Sequence, residues 1–233
     1  MDREAVEMEL ALTVVSGIAW TVVYLDCIRV GFRDHTFPMP LFALGLNIAW
    51  EVMYGYKVIT HVVNAQAVII VIWAALDAVI VVTYFRYGRR YWPSHLPRWG
   101  FIPWGASAIV LGFVLQQLFV VEFGDQQAVR YAAFLQNLLM SVLFLVMFAS
   151  RPGGEGQSTT IAVGKLVGTM AATVIYGVLE ASVFILTVGV ACAALDAAYV
   201  WCLRDLRHGE NPRPRRGEST RGRSPHGGYR SAA

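Results

Sequence analysis

Gly45-Leu46-Asn47-Ile48-Ala49-Trp50-Glu51-Val52-Met53-Tyr54-Gly55 sets a carboxylate inside an otherwise apolar run. The run predicts a helix over about 38–58, opened by Pro38 and Pro40 and long enough to cross a bilayer, with Glu51 near its outer end. Taking a carboxylate into hydrocarbon costs about 2.5–3.5 kcal/mol on insertion scales. Such an acid is tolerated when it faces a protein interior and has a task there. Asp196 raises the same question in the last apolar run, within Ala193-Ala194-Leu195-Asp196-Ala197-Ala198-Tyr199.

Composition agrees with a membrane setting. The chain has 233 residues, 56% of them hydrophobic and 15% charged, with a mean hydropathy of +0.51. Soluble domains carry about 25% charged residues. Apolar runs predict an all-α, polytopic bundle of seven transmembrane helices, at about 11–31, 38–58, 65–86, 103–121, 129–149, 162–180 and 183–203. The last two need a tight turn near Glu180-Ala181-Ser182, because the joined stretch is too long for one crossing. Residues 1–204 form one membrane domain on this reading. Residues 205–233, rich in Arg, Pro, Gly and Ser, form a disordered cytoplasmic tail.

Charge placement predicts the orientation. Sixteen of the nineteen Lys and Arg residues fall in the tail or beside the loops after helices one, three and five, with Arg151 and Lys165 counted as loop cations. The positive-inside rule then puts the N-terminus outside and the C-terminus in the cytoplasm. The acidic start, with Asp2, Glu4, Glu7 and Glu9, is unlike a signal peptide. Eight arginines between Arg204 and Arg230 would meet anionic lipid rather than nucleic acid. Cys27, Cys192 and Cys202 lie in or beside apolar runs and read as packing residues.

Helical spacing groups the polar residues. Asn47, Glu51 and Tyr54 share a face, and Asp196 and Tyr199 lie one turn apart. A neutral carboxylic acid facing a dry cavity is a proton donor, and two such acids can divide donation and relay. The competing reading makes each acid a structural hydrogen bonder between helices. Asp77 is a further candidate, because Ala74-Ala75-Leu76-Asp77-Ala78 echoes the Asp196 segment. Asp26 stands three residues before Arg29 and predicts a local ion pair. Glu122, Asp125 and Glu180 are expected at outer helix ends. His35, His61 and His95 are expected in solvated loops.

Trp50, Tyr54, Trp73, Tyr176 and Tyr199 are candidate cavity walls, and aromatic faces stabilise a desolvated cation by about 2 kcal/mol. Trp92, Trp99 and Trp104 read as membrane-interface residues. Gly164-Lys165-Leu166-Val167-Gly168 fits close helix packing. No Asp-rich box for magnesium and a diphosphate occurs, and no His or Cys metal set, ATP motif or dinucleotide motif. No cofactor and no metal are therefore expected. The last helix lacks a lysine, which excludes a retinal Schiff base there.

The string Asn47-Ile48-Ala49-Trp50-Glu51-Val52-Met53-Tyr54 resembles a stretch of the small seven-span integral-membrane terpene cyclases, those of fungal meroterpenoid and indole-diterpene pathways with bacterial relatives in indole-sesquiterpenoid pathways. Gly156-Gln157-Ser158, Lys165-Leu166-Val167-Gly168-Thr169 and Asp196-Ala197-Ala198-Tyr199 are similar to later segments of the same family, so the likeness runs over about residues 10–205. It implies a membrane enzyme that cyclises a prenyl chain already attached to an aromatic partner. The cascade starts by protonation of an alkene or epoxide, with no diphosphate ionised. By resemblance Glu51 and Asp196 are the catalytic acids, and Asn47, Trp50, Tyr54 and Tyr199 orient them or shield the carbocation. The Ala, Val and Arg bias with only two lysines suggests a bacterial cytoplasmic membrane and a farnesylated indole substrate, with a pathway prenyltransferase as a possible associate. A small proton-coupled transporter using the same buried acids is the alternative, and a receptor-like sensor comes third.

Overall fold

The computed structural model describes residues 3–61, 65–151 and 153–209. The described residues are helices and short connections: α1 (Arg3–Arg33), α2 (Leu41–His61), α3 (Ala65–Tyr87), α4 (Phe101–Ser150), α5 (Thr159–Thr173) and α6 (Val183–Gly209). Two 3₁₀ turns, Gly88–Tyr91 and Arg98–Gly100, fill the loop before α4, and a π-helical turn, Val174–Leu179, extends α5.

The helix starts follow local chemistry. Pro40 precedes α2, and its carbonyl accepts from the Leu44 amide at 2.9 Å. Ser158 caps α5, its hydroxyl accepting from the Thr160 amide at 3.1 Å. The turn between α5 and α6 falls at Glu180-Ala181-Ser182, where Ala181 adopts a φ of 56°. That is where the sequence required it.

α4 is one 50-residue stretch only nominally, because Gly124 at φ 70° and ψ 163° is not helical. Gln116 and Gln136, on either side of it, bond side chain to side chain at 2.7 Å. In a straight helix 20 residues would separate them by about 30 Å. The chain therefore doubles back at Gly124, and α4 consists of two arms, 101–123 and 125–150. The expected helices at 103–121 and 129–149 are these arms, joined by one glycine rather than a loop. Glu122 and Asp125 flank the reversal, exposed as expected.

Neighbours form a closed ring: α1 meets α5, α5 meets α6, α6 meets α4, α4 meets α2, α2 meets α3, and α3 returns to α1. Missing side chains allow the closest approaches. A Cβ on Gly45 would lie 2.5 Å from the Ala108 carbonyl oxygen, and one on Gly112 would lie 2.2 Å from the Gly45 oxygen. Gly164 and Gly168 let α5 press against Val23 and Trp20 of α1, each at 2.8 Å from where a Cβ would stand, which is the packing role their spacing predicts.

The bundle exposes apolar side chains and buries polar ones beside its apolar core. Leu10, Val14, Ile18, Val22 and Leu25 form an exposed stripe on α1, while Asn47, Glu51, Asp77, Gln116, Lys165 and Asp196 are buried. Such a surface suits lipid rather than water. Among the described residues five helical stretches are long and apolar enough to cross a membrane: Arg3–Arg33, Val68–Tyr91, Arg98–Ser150, Thr159–Leu179 and Val183–Arg207.

Some expectations need correction. Lys165 is not a loop cation; it lies inside α5 with its side chain 1% exposed. Arg151 follows α4 directly and is buried. α6 continues to Gly209, so residues 205–209 are helical rather than part of a disordered tail. Residues 210–233, on which the rest of that expectation falls, lie outside the described residues, as does the side chain of His61. The Asp26–Arg29 pair forms at 2.6 Å.

Candidate active site

Asn47 is the hub of a buried polar cluster. Its Nδ2 donates to the Tyr24 hydroxyl at 2.6 Å, to Asp77 Oδ2 at 2.8 Å and to Glu51 Oε1 at 3.1 Å. The Tyr24 hydroxyl in turn donates to Glu51 Oε1. On the other side, Asn47 Oδ1 accepts from Gln136 Nε2 at 3.3 Å, and Gln136 Oε1 accepts from Gln116 Nε2 at 2.7 Å. One chain of contacts thus links α1, α2, α3 and both arms of α4. Inside a bilayer polar groups must find partners within the protein, and this cluster supplies them for six side chains.

Three oxygens are left over. Glu51 Oε2, Asp77 Oδ1 and Gln116 Oε1 are buried with no hydrogen-bond partner among the described residues. No ion pair forms on either acid among those residues. Two acids held by one amide, with no cation to balance them, form a group that stores a proton.

Beside this cluster lies a cavity of about 120 Å³ to which Glu51, Asn47 and Tyr24 contribute. Trp20, Trp50, Trp73, Phe134 and Met140 supply its apolar walls. The indole N–H groups are occupied elsewhere: Trp50 donates to the Val129 carbonyl at 2.9 Å and Trp73 to the Thr21 hydroxyl at 3.0 Å. That fixes both ring orientations. Trp73 also stacks on Tyr24, centroids 5.9 Å apart at 30°.

Asp196 lies in a different network. Lys165 Nζ donates to both its carboxylate oxygens, 2.8 Å to each, and to the Ser141 hydroxyl at 2.6 Å. Asp196 does not line the cavity. The expectation that Glu51 and Asp196 meet as neutral acids in one chamber is therefore not what the structure shows. A buried lysine, counted from sequence among the loop cations, holds Asp196 as an ion pair. The two networks are neighbours all the same. Thr169 stands one turn beyond Lys165 and Asn137 one turn before Ser141, and Asn137 Nδ2 donates to Thr169 Oγ1 at 2.7 Å. Both of those residues line the cavity.

The other expected residues divide in the same way. Asn47, Trp50 and Trp73 line the cavity, and Asp77 joins its polar wall through Asn47. Tyr54 and Tyr199 are buried outside it, each with a hydroxyl that has no partner among the described residues. Neither pairs with the acid one turn before it. Tyr54 packs on Trp50 at 5.3 Å, and Tyr199 stacks on Phe144 at 5.4 Å. Tyr176 sits in the π turn under the Arg130 guanidinium, which also pairs with Glu180 at the turn between α5 and α6. It does not reach the cavity.

Tyr24, Trp20, Gln116, Gln136, Asn137 and Thr169 were missed from sequence. Adjacent Gln136 and Asn137 in the middle of an apolar run were a readable signal of the same kind as Glu51. Tyr24 and Trp20 gave none, since aromatic residues on a membrane helix are ordinary.

A family model described as Pyr4-like transmembrane terpene cyclases matches residues 3–208. The Pyr4-family terpene cyclase mfmH of Annulohypoxylon moriforme is 30% identical over 175 residues, 73% of this chain and 70% of that one. The terpene cyclase pyr4 of Aspergillus fumigatus is 25% identical over 207 residues, 84% of this chain and 85% of that one. The terpene cyclase ascF of Acremonium egyptiacum is 28% identical over 173 residues, 66% and 61% of the two chains. These relatives are fungal, and they lend no support to a bacterial source. No solved structure matches the chain. The chain belongs to the Pyr4-like transmembrane terpene cyclase family and is an integral membrane protein.

Proposed function

We propose that this member of the family is a protonation-initiated cyclase of an already prenylated small molecule, a farnesylated indole being one such substrate, and that Glu51 delivers the proton. The carrying observation is the pairing of Glu51 and Asp77 on Asn47 beside an aromatic cavity, with no cation at either acid. Glu51 gives its proton to the terminal alkene or epoxide of the prenyl chain. Alkene π electrons then form the ring bonds, and the cascade ends when the last cation loses a proton. An epoxide would open to a hydroxyl, and with either start one proton is gained and one lost, so the overall change is an isomerisation. Trp50 and Trp73 stabilise the cations through their faces and keep water out. Asp77 receives the second share of the acid pair's charge, and Tyr24 and Asn47 hold Glu51 in place.

Asp196 acts at one remove. Through Lys165, Ser141 and Asn137 it holds part of the cavity wall, so it is a positioning residue. The seven helical arms would each cross the membrane, with the N-terminus outside and the C-terminus in the cytoplasm. A pathway prenyltransferase would supply the substrate.

Membranes containing the protein, given a farnesylated indole in heavy water, test the reading. The expected product is cyclised and carries one carbon-bound deuterium at the site of protonation, and Glu51→Gln forms it at least about a hundredfold more slowly. Product without deuterium, or full activity in Glu51→Gln, would remove the mechanism. Movement of the substrate across vesicles without conversion would favour the transporter reading.

A further inference from the structure

The cavity at Glu51, about 120 Å³, is too small for a whole prenylated substrate, since ligand pockets run to roughly 300–1,000 Å³. A second cavity of about 530 Å³ lies nearer the end of the bundle that carries the loops after α1, α3 and α4. Both cavities use α2 and the second arm of α4. Pro40 and Leu41 border the large one, and Asn47 and Glu51 the small one. On α4 the corresponding residues are Leu143 to Arg151 and Ala133 to Met140.

Arg151 borders the large cavity although it is 6% exposed. Its guanidinium packs over Phe37 and Tyr91, 4.2 Å from each ring centroid. Its hydrogen bonds all leave Nη1, toward Phe37 O at 3.0 Å, Glu155 O at 3.2 Å and Thr36 Oγ1 at 3.4 Å. Among the described residues no hydrogen bond leaves Nη2 or Nε, neither nitrogen is a fully buried atom without a partner, so both keep accessible surface, and no carboxylate pairs with the charge. The Glu155 carboxylate is already taken by Arg90 and Tyr91. A buried guanidinium with two donor edges unused is a site prepared for an acceptor oxygen.

The geometry points to Arg151 as the head-group anchor of the substrate: the large cavity holds a planar aromatic head bearing a carboxylate, phenolic or carbonyl oxygen, and the prenyl chain runs along the α2–α4 seam to Glu51. Gln136, which bonds Asn47, and Arg151 are 15 residues apart on one helix arm, about 22 Å. A farnesyl chain with its head group spans a gap of that order. Trp92, Phe101 and Trp104 give the head flat apolar walls. Met140 lines the small chamber and Leu143, three residues on along the same arm, lines the large one, and a methionine can shift to let a chain through. The inference names the substrate class of the reading above and rests on it.

Binding is measured in the Glu51→Gln protein in lipid nanodiscs, where no turnover intervenes. The probes are a farnesylated indole carboxylate and the same molecule without the carboxylate. The carboxylate probe should bind at least tenfold tighter, and Arg151→Gln should erase that difference between the two probes. Leu143→Trp, which fills the cavity without touching Arg151, should weaken both probes and so covers an Arg151 variant that fails to fold. Equal binding of the two probes, or no effect of Leu143→Trp, overturns the inference. So does displacement of the carboxylate probe by raising the phosphatidylglycerol content, which would make the cavity a lipid site. Anchored binding without any conversion by the unaltered protein would sink the cyclase reading alone. Conversion that ignores Arg151 and Leu143 would sink the anchor alone.

Discussion

Lys165 donates to both carboxylate oxygens of Asp196, 2.8 Å to each, with both side chains 1% exposed. Breaking a buried pair leaves a charge without compensation, at a cost of about 3–5 kcal/mol, whereas replacing both partners by apolar residues is often neutral. Lys165→Met and Asp196→Leu should each lower the thermal midpoint in detergent sharply, and the double variant should recover most of the loss. Additive losses in the double variant would show that the pair is not coupled.

Glu51→Gln keeps an oxygen that can accept from Tyr24 and Asn47, so the fold should survive. Loss of general acid catalysis costs about 10²–10⁴ in rate. Cyclisation assays should show a drop of that size with a midpoint close to the parent's. Asp77→Asn should reduce kcat without abolishing product, because the acid that reaches the substrate remains. Tyr24→Phe should cost about tenfold, equivalent to ~1.4 kcal/mol in the barrier.

A Cβ on Gly112 would meet the Gly45 backbone and one on Gly45 would meet the Ala108 backbone, so neither position has room for one. Gly112→Ala and Gly45→Ala should destabilise by about 1–3 kcal/mol, as overpacking does. Gly17 has nothing within 4 Å of where its Cβ would stand, and Gly17→Ala should stabilise α1 by ~0.5–1 kcal/mol. Unfolding midpoints of the three variants check the contrast.

The reversal at Gly124 has a direct distance test. Leu111 and Val142 are exposed and 31 residues apart, and a straight helix would separate them by about 46 Å. Spin labels at these two positions should report less than half that distance by pulsed electron resonance. A distance near the straight value would remove the two-arm description of α4.

Helix periodicity and apolar run length are local properties, so the sequence alone determined the helical bundle, the turn at Glu180-Ala181-Ser182, the reversal between 121 and 129, and Glu51 as the acid to watch. Asn47 beside Glu51 was legible for the same reason, since residues four apart on a helix are neighbours. Which side chain meets which across helices is not local. Helix spacing suggested Tyr54 for Glu51, but it is Tyr24, 27 positions away, that bonds it. Lys165 looked like a boundary cation until α5 and α6 came together and set it against Asp196, 31 positions away. That pairing turned a presumed acid into half of an ion pair, because a carboxylate's chemistry in a dry interior is set by the charge beside it, and only the tertiary structure decides what that charge is.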